Sequence, residues 1–91
     1  MSTTPTPQQV QALEKYCESI SFAADFIPES DYEQAAGLML DAAAASPDQT
    51  PAGRQKAAGT ALHDAVVAKG YASEVTADQC LAAAGAMLQS A

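Results

Sequence analysis

The sequence predicts an all-α protein, a compact four-helix bundle with short loops, and three observations carry that reading. Four helix-start signatures punctuate its 91 residues: Thr6-Pro7-Gln8-Gln9, Ser30-Asp31-Tyr32-Glu33, Thr50-Pro51 and Thr76-Ala77-Asp78-Gln79. Between them, apolar residues recur three and four apart, the spacing of one helical face. Alanine is the commonest apolar residue, and it enters a helix at the least cost. In three of the signatures a hydroxyl can accept from the backbone N–H three residues on, while a Glu or Gln there reaches back to the cap. The remaining one relies on Pro at the first helical position.

Residues Met1 to Thr6 offer nothing to bury and read as a flexible leader to a single domain spanning residues 7–91. The first helix is expected from Pro7 to about Phe26. Val10, Leu13, Cys17, Ile20, Ala24 and Ile27 form its apolar face, and Pro28 prevents clean continuation. The second is expected after Ser30, from Asp31 to about Ala45, with Tyr32, Ala35, Ala36, Met39 and Ala43 on one face and Leu38 and Leu40 on its flanks. Ser46-Pro47-Asp48-Gln49 is a loop.

The third helix should run from Pro51 to Lys69. Leu62 and Val66 continue a face through Ala58 and Gly59, and Ala57, Ala61, Ala65 and Ala68 make a separate small-residue stripe. Gly70 suits the left-handed position that ends a helix, Lys69 suits the negative end of its dipole, and Tyr71 offers a closing apolar contact. The fourth should run from Ala77 to about Ser90, with Cys80, Leu81, Ala84, Met87 and Leu88 inward. With so much alanine and no Trp, the core must be thin, and the helices must approach closely to gain from it.

The formal net charge is −7. Up to Asp48 every charged side chain except Lys15 is acidic, whereas Asp64, Glu74 and Asp78 are balanced by Arg54, Lys56 and Lys69. Glu14, Glu18 and Asp25 fall within about 40° of one another on a helical wheel. They form an acidic stripe that Glu29, Asp31 and Glu33 extend. Such a stripe steers a basic partner surface or simply keeps an alanine-rich protein soluble. Phe22 and Phe26 project about 150° to 190° away from the apolar face of a continuous first helix. They would then be outward interaction anchors beside the acids; if the helix breaks at Ser19-Ile20-Ser21, or a later helix covers both faces, they belong to the core.

Several functions lack their residues. There is no Gly-rich phosphate loop, His-Glu-x-x-His, Cys-x-x-Cys or nucleophile–base set, so catalytic residues, cofactor and metal site are all expected to be absent. Four Lys and Arg residues are too few for direct nucleic-acid binding. No apolar run approaches the roughly 18 residues that span a bilayer, and the expected location is cytoplasmic. His63 is a lone histidine at the edge of a helical face. Cys17 and Cys80 read as buried free thiols, with a disulfide open if the first and fourth helices are neighbours.

What remains is a non-catalytic protein-binding module. A small acidic regulator, inhibitor or adaptor would occupy a partner protein's basic surface through Phe22, Phe26, Glu14, Glu18, Asp25, Glu29, Asp31 and Glu33. One version presents carboxylates where nucleic-acid phosphates would sit, and another is a phage-encoded inhibitor. A structural subunit, or a homodimer through the alanine stripe of the third helix, is the alternative. In size, acidity and the serine opening the second helix, the chain also resembles acyl and peptidyl carriers, which would imply modification of Ser30. Their Asp-Ser-apolar attachment motif is here Glu29-Ser30-Asp31.

Overall fold

A computed structural model describes residues 4–20, 29–70 and 76–90. They form four helices, α1 (Pro7–Ile20), α2 (Glu29–Ala45), α3 (Pro51–Ala68) and α4 (Ala77–Gln89), packed on one another as a four-helix bundle. Three of the helix starts are the expected ones. Thr6 and Gln9 exchange hydrogen bonds at the head of α1: the Thr6 N–H donates to Gln9 Oε1 at 2.9 Å, and the Gln9 N–H donates to Thr6 Oγ1 at 3.2 Å. Thr76 and Gln79 repeat the same reciprocal pair at the head of α4. At α3, Thr50 Oγ1 accepts from the Gly53 N–H at 3.2 Å and Pro51 occupies the first turn. Each cap satisfies an N–H that the helix itself leaves without a partner.

Ser30 departs from expectation. The helix begins at Glu29, so Ser30 lies inside the first turn and is not a cap, a position that requires non-helical backbone. Glu29 and Asp31 then both fall at the positive end of the helix dipole. The expected run of the first helix through residues 21–26 lies outside the described residues. At the other end of α2, the Gln49 side-chain amide donates to the carbonyls of Ala43 and Ser46, at 3.0 and 2.8 Å, satisfying the end of the helix from the loop. Gly70 takes φ 84° after α3, the left-handed stop foreseen for it.

The helices α2 and α3 run antiparallel, with Asp31 near the start of one paired to Lys69 just beyond the end of the other. The same holds for α3 and α4, since Gly59 meets Leu81 while Gln55, one turn earlier in α3, reaches Leu81 and the later Gly85. α1 packs mainly on α4 and less on α2. The core is centred on Leu13, Met39, Met87 and Cys80, all fully buried, with Ala36, Ala43, Ala58 and Ala84 between them. Leu81 is a correction: expected inward, it is 38% exposed. Its backbone, held against Gly59, is what meets α3, and Cys80, Ala83, Ala84 and Met87 take the inward positions.

Candidate protein-binding surface

Tyr32, Ala35 and Leu38 of α2 face Leu62, Ala65 and Val66 of α3 across an open apolar groove of about 190 Å³. The groove exists because alanine stands on both walls. Ala35 and Ala65 keep the two helices from filling the space between them, and Leu38 rises at the rim with 48% of its surface exposed. At water's share of about 30 Å³ per molecule, the volume matches about six waters, enough for a large apolar side chain of a partner. The floor is formed by Tyr32 and Leu62, both buried.

One end of the groove is polar. Lys69 Nζ lies 3.5 Å from Asp31 Oδ1, with the two side chains 48% and 24% exposed. Gly70 stops α3 immediately after Lys69, which leaves the lysine at the negative end of α3 and the aspartate at the positive end of α2. Asp31 is therefore a paired carboxylate at the groove's end. Glu33 lies on another side of α2 and lines a second cleft with Val10 and Gln11 of α1. The two acids, about 200° apart around the helix, do not share a face.

On α1, Glu14 is half-buried and Glu18 exposed, one turn apart. Phe22, Asp25, Phe26 and the side chain of Glu29 lie outside the described residues. Ser30 is exposed in the first turn of α2. Within the alanine stripe, Ala61 packs against the core and Ala65 lines the groove, while Ala68 is exposed. His63 is half-buried beside Lys56 and Asp78 between α3 and α4.

The groove had no motif in the sequence. Its signal is Leu38, which follows Asp31 and Gln34 along one row of α2 and so sits among polar neighbours on the helix surface. Among the described residues no three His, Cys, Asp or Glu side chains come together as a metal site requires, and no helix there is long and apolar enough to cross a membrane. Burial pushes the thiols of Cys17 and Cys80 up to about 11. The Thr50 side chain and backbone N–H hold the exposed Asp48 carboxyl below its usual range. No protein-family model matches the chain, and no curated protein or solved structure matches it either.

Proposed function

We propose that the protein is a non-catalytic binding module, a small acidic regulator or adaptor whose α2–α3 groove receives an amphipathic helix from a basic partner protein. The observation that carries this reading is Leu38, half exposed over an apolar groove with Asp31 at its end. Helix-in-groove recognition needs an apolar trough that accepts side chains spaced three and four apart. It also needs a charge to fix register. A partner's Arg or Lys supplies that by taking Asp31 from Lys69, and the chain's net charge of −7 steers such a partner towards it.

The test places a photo-crosslinking residue at Leu38, and separately at Lys56 as a control on another face, followed by sequencing of the captured peptide. The expected product at Leu38 is a basic peptide with apolar residues three and four apart. Leu38→Glu should abolish capture while shifting the melting temperature by no more than a few degrees, because the side chain is already half in water. Undiminished capture by that variant, or equal labelling from position 56, refutes the proposal.

A further inference from the structure

The walls of the α2–α3 groove repeat one another in opposite directions. Asp31, Ala35 and Leu38 stand at steps of four and three along α2, and Lys69, Ala65 and Leu62 stand at the same steps read backwards along α3. Such steps hold each trio on one face of its helix. Asp31 and Lys69 meet at the polar end, so an alanine stands on each wall four residues in and a leucine seven residues in. The space that the two alanines leave therefore opens about 6 Å, or one helical turn, from the carboxylate. A helix lying along the trough rises at the same rate as its walls. An apolar side chain seated between the alanines thus places the residue four positions away, on the same face, beside Asp31.

Asp31 already has a partner. Lys69 Nζ stands 3.5 Å from Asp31 Oδ1, beyond the roughly 2.7–2.9 Å of a close charge-assisted hydrogen bond, and the lysine side chain is 48% exposed. The incumbent is loosely held, on a flexible stem. Among the described residues that line the groove this pair holds the only charges, so selection by charge falls on it. An incoming lysine would exchange one ammonium for another, with no new kind of contact and the loss of its own side-chain freedom. A guanidinium differs, because its planar fork sets two parallel N–H donors on the two carboxylate oxygens, which an ammonium cannot match. We infer that the groove selects a helix by an arginine one turn from a seated apolar residue, Asp31 reading the guanidinium and Lys69 acting as the incumbent that screens out lysine. The selection rests on the groove being a helix receptor, and adds which basic residue it accepts and where.

The test uses three synthetic amphipathic helical peptides of equal length and net charge, with leucines three and four apart. Arg, Lys or Gln stands four positions beyond the last leucine, and a lysine on the opposite face restores the charge of the Gln peptide. Each is titrated to millimolar concentration into the full chain, Asp31→Asn and Lys69→Ala, with the amide resonances of Ala35 and Ala65 reporting the groove. On wild type the Arg peptide should bind at least about fivefold more tightly than the Lys peptide, and the Lys peptide no better than the Gln peptide. On Lys69→Ala the Lys peptide should overtake the Gln peptide, because the incumbent is gone. On Asp31→Asn all three should bind alike. Equal binding of the Arg and Lys peptides to wild type, or an Arg preference that survives Asp31→Asn, would overturn the selection while leaving the groove a helix receptor. No shift at Ala35 or Ala65 with any peptide would overturn the receptor itself, and the selection with it.

Discussion

Gly59 of α3 lies directly against the backbone of Leu81 of α4: a Cβ at position 59 would stand 2.9 Å from Leu81 Cα and 3.2 Å from its nitrogen. No rotamer change relieves such a contact, because backbone meets backbone. Gly59→Ala is expected to push α3 and α4 apart and lower stability by about 1–2 kcal/mol, an overpacking cost partly offset by alanine's better helix propensity. Gly59→Val should cost more. Urea denaturation of the two variants beside wild type measures the order.

The same interface contains a glycine with the opposite expectation. A Cβ at Gly85 would meet the Gln55 side-chain amide at 2.7 Å, and that amide donates to the Leu81 carbonyl at 2.9 Å. The obstacle is the end of a flexible side chain. Gly85→Ala should therefore change stability by less than about 1 kcal/mol, the lost hydrogen bond offsetting the gained propensity. With Gln55→Ala already present, the same substitution should stabilise by about 1 kcal/mol. A double-mutant cycle reads the difference.

The Asp31–Lys69 pair at the groove's end is partly exposed and contributes below about 1 kcal/mol to folding. Its effect on binding should be larger. Lys69→Ala frees the carboxylate and should tighten capture of a basic helix, Asp31→Asn should weaken it, and added salt should slow association in the wild type. Titration of the crosslinked partner peptide against the three proteins, at two ionic strengths, checks each sign.

Phe22 and Phe26, which the sequence makes outward anchors if the first helix is continuous and core residues if it breaks or is covered, are testable by replacing both with Ser. If the two rings anchor a partner, the melting temperature should stay almost unchanged and partner capture should be lost. A large fall in melting temperature would assign the two rings to the core instead.

The thiols set an alkaline limit on stability. Their folded pKa values, about 11, stand above the ordinary 9.0, so the folded protein holds these protons more tightly than the unfolded chain does. The resulting stability is fully present below pH 9 and is lost as pH rises towards 11. Asp48 acts at the other extreme: its depressed carboxyl contributes above 3.8, and the contribution fades as pH falls below that value. Denaturation midpoints measured from pH 8 to 11 should decline in reduced wild type and decline less in the Cys17→Ala/Cys80→Ala protein.

The sequence by itself determined four helices, three of their starts and the stop at Gly70. Those features depend on residues within about four positions of one another, as Thr6 with Gln9 and Thr76 with Gln79 demonstrate. Even locally one start departs from its signal, since α2 begins at Glu29, ahead of the expected cap Ser30. Helical spacing also picked out most of the buried face, from Val10, Leu13 and Cys17 to Cys80, Ala84 and Met87, whereas tertiary structure decided its edges, turning Leu81 out and Ala83 in. Alanine fits core and surface equally, so the pattern around Ala35, Ala65 and Leu81 does not fix where the buried face ends. The approach of Gly59 to Leu81 and the pairing of Asp31 with Lys69 both follow from how separate helices align. That alignment depends on contacts between residues far apart in the chain, which no local pattern encodes. The groove beneath Leu38 is the space that the same alignment leaves open.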